Sequence, residues 1–216
     1  LRVDPSIREN AYSWVECSDW LPALICGKVA PDEMVRNRCA AAHKAMWNQT
    51  WNGLPSEDFL SALDPLYTGL RERLYTSTAV AGTRIGKLSS EWSMRLGLSE
   101  DVVVGVGSMD CHAGAVGGGV SAHVLARTIG TSTCDILVAP EEEIGDKIIP
   151  GICGQADGSV VPGLMGIEAG QSCFGDVYAW FKHMMSWGLD EFVPNADEFH
   201  GKILPRLEEQ AKQLPL

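Results

Sequence analysis

Between positions 102 and 119 the chain reads VVVGVGSMDCHAGAVGGG: apolar and glycine positions, one aspartate, then a run of small residues. The apolar stretch predicts a strand over 102–107, and the small residues after it predict a helix that packs closely. Asp110 is the only acid between Asp101 and Asp135, so it is a placed charge and not part of a solvated charge run. A carboxylate at the carboxyl end of a buried strand, directly before a helix, sits where open α/β sheets bind ligands, and desolvation there raises its pKa toward that of a useful base. The same position suits a helix N-cap that only holds free N–H groups, and local sequence leaves base and cap both open. Ala113, Gly114, Ala115, Gly117, Gly118 and Gly119 would let a backbone or a ligand approach closely.

Around this stretch the pattern is α/β. In YSWVECSDWLPALICG, Trp14, Cys17, Leu21 and Leu24 recur at helical spacing, with Gly27 placed as a stop. LPSEDFLSALDPLYTGLRERL offers Ser56 as N-cap, Glu57 and Asp58 in the first turn, an apolar side of Phe59, Leu60 and Leu63, and Pro65 as terminator. A further helix capped by Ser89 or Ser90 leads into the strand. LARTIGTSTCDILVAP reads as two strands joined through Gly130-Thr131-Ser132-Thr133. GQSCFGDVYAWFKHMMSWG reads as an amphipathic helix burying Phe174, Val177, Tyr178, Phe181 and Met185. The expected domain junction lies near 117–123, in GGGVSAH.

Two features could complete a site around Asp110. The turn in TIGTSTCD can form a nest of backbone N–H groups supplemented by the hydroxyls of Thr131, Ser132 and Thr133, for which phosphate is the natural guest; it also reads as an ordinary hairpin turn. Lys44, in AAAHKAMW, is the one base amid small and apolar residues, either a snorkelling surface lysine or a polar hook for a hydroxylated ligand. Glu168, in GIEAGQS, is similarly isolated and could cap the following helix or accept hydrogen bonds from substrate hydroxyls. GVGSMD begins like a dinucleotide fingerprint, but its third glycine is Asp110 and no acid ends the next strand. Asp110, Cys111 and His112 are consecutive and cannot easily converge on one ion, so no metal site is expected and Cys111 and His112 read as packing and local hydrogen-bonding residues.

Composition excludes several classes. A formal charge of −11 with no basic stripe argues against a nucleic-acid partner, and the longest apolar runs fall far short of a membrane span. At 216 residues and 45% hydrophobic, the chain can bury one sizeable core or two small ones. Seven scattered cysteines with no C-x-x-C pair, and no leader-like amino terminus, lead to the expectation of reduced thiols in a cytoplasmic protein.

Taken in order, AAAHKAMW, GSMDCHAGAVGGG, TIGTSTCDILVA, GICGQADGSVVPG and GIEAGQSCFGDVYAWF closely resemble the FGGY family of carbohydrate kinases. The resemblance covers nearly the whole chain and weakens after Trp187. It implies an actin-like (ribonuclease H-like) two-domain sugar kinase that moves a phosphoryl group from ATP, with Mg2+, to a primary hydroxyl of a ketopentose, giving ribulose 5-phosphate. By that resemblance Asp110 matches the catalytic aspartate, Gly130 to Thr133 match a phosphate-binding hairpin, and Lys44 and Glu168 match sugar contacts. Residues 1–118 would be the later part of the sugar-binding domain and 119–216 the beginning of the nucleotide-binding domain.

The family's amino-terminal D-x-G-T-x-S-type hairpin and its adenosine-binding glycine-rich segment are missing, so the chain reads as an internal piece, expected to be inactive alone. Incomplete sheets would expose edges, and association, for instance as a homodimer, is the expected consequence. The competing readings are a non-catalytic sugar-binding or sensing relative, a kinase for another pentose or polyol, and, third, a thiol-dependent enzyme.

Overall fold

The computed structural model of the chain describes residues 2–51 and 53–215. In chain order the helices and strands are α1 Pro5–Asn10, α2 Cys17–Ile25, α3 Arg38–Ala45, α4 Glu57–Leu63, β1 Arg84–Lys87, α5 Ser90–Leu96, β2 Val103–Gly105, α6 Asp110–Gly117, β3 Ala126–Ile129, β4 Thr133–Ala139, α7 Glu141–Ile144, β5 Gly154–Asp157, β6 Met165–Gln171, α8 Gly175–Phe192 and α9 Asp197–Ala211. The chain divides into two compact units, Leu1–Thr128 with Cys134–Ala169, and Ile129–Thr133 with Gly170–Leu216.

Helix boundaries follow local chemistry. Ser56 Oγ accepts the Phe59 N–H at 3.2 Å to start α4, and Ser89 Oγ accepts the Trp92 N–H at 3.4 Å to start α5. Asn37 Oδ1 accepts the Ala40 N–H at 2.7 Å to start α3. Each cap satisfies an N–H that the first helical turn leaves without a partner. Gly27 (φ +75°) and Gly97 (φ +65°) follow α2 and α5 in the left-handed conformation that glycine adopts without strain.

The strands form two sheets. β1 and β2 pair antiparallel, with Gly86 opposite Val104 and Lys87 opposite Val103. The second sheet has the order β3-β4-β6-β5, and β5 pairs antiparallel with β6 so that Gly154 stands opposite Glu168 and Ala156 opposite Gly166. One face of the second sheet carries the main core of the first unit: Ile136 and Val138 of β4, Ala115 of α6 and Val160 are buried together. A smaller cluster of Ile85, Leu88 and Val104 fixes the strand pair. Fully burying an aliphatic side chain of this size contributes about 1.5–3 kcal/mol, so these few residues anchor α6 to the sheet.

Four expectations are corrected. β2 is shorter than 102–107 and only its central Val104 is buried, because the two-stranded sheet covers little of it. Along α2 the buried positions are Asp19 and Ala23, while Cys17 and Leu21 are exposed, and Trp14, exposed too, lies ahead of the helix; the buried face is chosen by an Asp19–Asn37 hydrogen-bond network that apolar periodicity cannot show. Along α4 only Leu60 is buried, with Phe59 and Leu63 exposed. Val177, Tyr178 and Met185 of α8 are also exposed: a stripe marks which face can be buried and not what covers it.

The opening stretch owes its glycines to a different contact from the one expected. A Cβ at Gly107 would stand 1.8 Å from the Ser18 carbonyl oxygen, so the approach to α2 requires glycine there. At Gly117 and Gly119 a Cβ would meet nothing within 4 Å; Gly119 serves instead as a left-handed turn residue (φ +82°).

Candidate active site

Asp110 is the first residue of α6, and the N-cap position falls on Met109, whose side chain makes no capping bond. The cap reading of Asp110 is therefore off by one residue. Its Oδ1 accepts the Cys111 N–H at 2.8 Å, and the residue is exposed and not desolvated. The helix start is braced from behind, where the Met109 N–H donates to Cys39 Sγ of α3 at 3.3 Å.

Two residues further along α6, His112 is buried at 1% exposure. Its Nε2 lies 2.9 Å from Glu168 Oε2, and its Nδ1 lies 3.0 Å from Cys39 Sγ and 3.3 Å from the Ser159 carbonyl oxygen. Burial pushes the His112 pKa down, but hydrogen bonds to Cys39, Glu168 and Ser159 outweigh it and hold the value up at about 10. His112 is thus an imidazolium donating from both nitrogens. The hydrogen bond from His112 in turn holds the Glu168 carboxyl below its ordinary value, against its burial.

His43 of α3 completes the cluster. Its ring meets that of His112 edge to face, with centroids 4.8 Å apart. Its Nδ1 is 3.1 Å from Glu168 Oε2 without hydrogen-bonding alignment, and its Nε2 is 3.0 Å from Ser159 Oγ. Ser159 Oγ also donates to the Ala156 carbonyl at 3.0 Å, so the serine links the His43 ring to the backbone before β6. Burial, followed by the charge on His112, lowers the His43 pKa to about 4, and His43 is neutral. Glycine makes the room: a Cβ at Gly154, directly opposite Glu168, would stand 2.6 Å from His43 Nδ1, and one at Gly166 would stand 2.2 Å from Ser159 Oγ.

On the other side of Glu168 are thiols. Cys134 Sγ lies 3.5 Å from Glu168 Oε1, and Cys111, Cys134 and Glu168 bring their donor atoms within 4.8 Å of one another. Burial first, then Cys111 and Glu168, push the Cys134 thiol well up. The sequence reading of Cys111 and His112 as local residues is corrected by this geometry, since both reach partners far along the chain. Spacing offered no signal for it.

Lys44, next to His43, has a half-exposed side chain whose Nζ lies 3.5 Å from Glu16 Oε2. It lines a cavity of about 480 Å³ together with Trp14, Met46, Leu54 and Leu74. His112 thus ties the segment holding Asp110 to Glu168, and His43 packs the segment holding Lys44 against His112 and Ser159. The turn Gly130 to Thr133 belongs to the second unit. There the Gly130 N–H donates to the Ser132 carbonyl at 2.8 Å, and the Gly130 and Thr131 carbonyls accept the N–H groups of Gly175 and Phe174 at 3.1 and 2.7 Å. A Cβ at Gly175 would come 2.5 Å from the Gly130 oxygen. The turn is braced on the start of α8; Thr133 is buried, while Thr131 and Ser132 are exposed and able to offer hydroxyls to an anionic group.

Two groups among the described residues have the composition of a metal site, His43–His112–Glu168 and Cys111–Cys134–Glu168. Their nitrogen and thiol donors do not suit Mg2+, which takes oxygen ligands, and His112 and Glu168 already satisfy each other as an ion pair. Neither of these two groups fits a magnesium site.

The chain is 44% identical to the ribulokinase of Vibrio parahaemolyticus over 217 residues, covering 97% of this chain and 38% of that protein. It is 35% identical to the ribulokinase of Shouchella clausii, covering 96% of this chain and 35% of that one. It spans less than two fifths of the length of these curated relatives. Its fold is that of the xylulose kinase from Rhodospirillum rubrum, with a TM-score of 0.71 at 17% identity over 99% of this chain and 38% of the other. A xylulose kinase structure from Brucella ovis gives a TM-score of 0.61 at 17% identity, covering 85% of this chain and 35% of that chain. No family model matches the chain. The chain is thus similar to the ribulokinases over part of their length, and it shares its α/β fold with the two xylulose kinase structures.

Proposed function

We propose that the protein containing this chain is an ATP-dependent ribulokinase, transferring the γ-phosphoryl group of ATP to the primary hydroxyl of ribulose. The observation that carries the reading is the 44% identity to a ribulokinase over 97% of the chain. In this reading Asp110 is the general base. It accepts the hydroxyl proton as the sugar oxygen bonds to the γ-phosphorus; the bond to the bridging oxygen breaks, ADP leaves, and the proton passes from Asp110 to solvent. Phosphoryl transfer has a loose transition state and asks for positioning more than for a strong base, so an exposed carboxylate at a helix start is adequate. Lys44 and Glu168 contact the sugar hydroxyls, and Gly130 to Thr133 contact phosphate through the outward hydroxyls of Thr131 and Ser132.

Residues 1–118 are assigned to the later part of the sugar-binding domain and 119–216 to the beginning of the nucleotide-binding domain. Turnover is assigned to the whole protein, in the cytoplasm with Mg2+, and not to these 216 residues alone. The test is ADP release by the whole protein with L-ribulose, D-ribulose, xylulose and glycerol, beside Asp110→Asn. Ribulose-stimulated turnover that falls by about 10²–10⁴-fold in Asp110→Asn is the expected result. Full turnover in that variant removes Asp110 as the base, and no response to any sugar removes the kinase reading.

A further inference from the structure

His43, His112 and Glu168 lie at sequence separations of 69 (112 − 43) and 56 (168 − 112), yet they converge on one carboxylate oxygen, Glu168 Oε2. Each sits on a segment that carries one of the three proposed sugar contacts. His43 immediately precedes Lys44 on α3. His112 lies two residues after Asp110 on α6. Glu168 is itself the contact on β6. The buried face of the cluster is completed by Cys39 Sγ, which receives the Met109 N–H at the start of α6 and faces His112 Nδ1, and by Ser159, which holds His43.

The architecture around the cluster is built for it. Gly154 is opposite Glu168 in the β5–β6 ladder, and any side chain there would occupy the His43 ring position; Gly166 does the same service for Ser159. Charge is balanced inside, with one imidazolium, one carboxylate and one neutral imidazole. A buried ion pair of this kind offers little net stability over an apolar replacement, but removing one partner is costly; its value lies in fixing orientation.

Resting on the assignment of Lys44, Asp110 and Glu168 as sugar contacts, we propose that the buried His43–His112–Glu168 cluster locks these three contacts into one geometry. His112 is its central positioning residue: it holds the Glu168 carboxylate ionised and aimed, and ties the Asp110 helix to β6. His43 transmits the same constraint to Lys44. Neither histidine touches the sugar. The groups that face the cluster are Cys39 and His43 from α3, Cys111 and His112 from α6, Cys134 from β4, Cys153 just before β5, Glu168 from β6 and the Ser159 carbonyl and hydroxyl.

The test is steady-state ribulose phosphorylation by the whole protein for wild type, His112→Gln, Glu168→Gln, their double variant and Asp110→Asn, each as a pH series. His112→Gln is expected to raise the ribulose KM about 10- to 100-fold, the size of a displaced substrate contact, with a smaller change in kcat. The double variant is expected to be no worse than Glu168→Gln alone, because both substitutions remove one interaction. The alkaline rise of KM in the wild type, as His112 loses its proton, is expected to vanish in His112→Gln.

Multiplying effects of the two substitutions, or an unchanged KM and pH profile in His112→Gln, would overturn the proposal. If His112→Gln does not fold by circular dichroism, Gly154→Ala, which displaces the His43 ring and keeps every titrating group, carries the same KM test with the same two outcomes. If Asp110→Asn and Glu168→Gln both turn over ribulose like the wild type, the sugar-site assignment fails, and this inference with it. Activity lost in those two but untouched in His112→Gln and Gly154→Ala fails the positioning role alone.

Discussion

His112 Nε2 and Glu168 Oε2 stand 2.9 Å apart in the interior, with His112 fully buried and Glu168 reaching it from the neighbouring strand β6. The protonated histidine and the ionised carboxylate depend on each other, and His43 stays neutral beside them. The pair makes folding sensitive to pH in two directions.

For His112 the folded pKa is raised from 6.5 to about 10. Its contribution is therefore fully present below about pH 6.5 and is lost as pH rises toward 10. For His43 the folded pKa is lowered from 6.5 to about 4, so the unfolded chain takes up a proton that the folded chain excludes, and stability falls as pH drops from 6.5 to 4. Glu168, lowered from 4.5, adds to the acid loss as pH falls below that value. Urea midpoints measured from pH 4 to 10 are expected to peak near neutrality and fall on both sides. In His112→Gln the alkaline fall is expected to shrink; an alkaline limb identical to that of the wild type would show that His112 is not the group responsible.

A second buried network holds α3 in place. Asn37 is 1% exposed; besides capping α3, its N–H and Nδ2 donate to Asp19 Oδ1 at 2.7 and 2.5 Å, and Nδ2 also reaches Ser18 Oγ at 2.9 Å. Burial raises the Asp19 pKa, against the Asn37 hydrogen bonds and Arg36. Asn37→Ala removes the cap and leaves a buried carboxylate with one partner fewer, and is expected to cost about 1–3 kcal/mol by urea unfolding. A loss under 0.5 kcal/mol, the range of ordinary surface changes, would mean that water replaces the lost bonds.

What could be read from sequence was what neighbours in sequence decide. Ser56, Ser89 and Gly27 mark helix ends through contacts within four residues, and the structure keeps all three. The helix boundary at Asp110 was legible to within one residue. The Asp19–Asn37 network and the histidine cluster were not, because each forms only after distant segments have been brought together by the fold. Lys44 and Glu168 stood out as isolated charges, but His43 and His112 looked ordinary; their meaning depends on Gly154, whose missing side chain gives no signal in a string of letters. The apolar stripes of α2 and α8 were visible, yet Leu21 and Tyr178 are exposed, since periodicity does not supply a covering partner.

The seven thiols are expected to separate by environment. Cys17 and Cys173 are exposed, whereas Cys39 is buried and the Cys134 thiol is pushed up by burial and by its neighbours Cys111 and Glu168. Alkylation needs the thiolate. Iodoacetamide at pH 8 followed by peptide mass spectrometry should therefore label Cys17 and Cys173 first and Cys39 and Cys134 last. Early labelling of Cys134 would contradict the environment assigned to it beside Glu168.

The core under α6 makes the last prediction. Ile136 and Val138 are 0% exposed and pack against Ala115, two positions beyond Ala113 on the helix that begins with Asp110. Ile136→Ala deletes buried volume that the flanking strands β3 and β6 cannot refill, and is expected to cost about 2–5 kcal/mol in urea unfolding. The same cavity lies beneath the helix that presents the proposed base, so the variant should also lose kcat in the whole protein at temperatures where it remains folded, because a base displaced by a fraction of an ångström no longer meets the attacking hydroxyl in line. Ile136→Val, which removes one methylene, should cost about 0.5–1.5 kcal/mol and leave kcat near the wild-type value. Equal losses of stability without any change in kcat would show that α6 is held by His112 and Cys39 alone, and that the aliphatic core serves the fold without setting the position of Asp110.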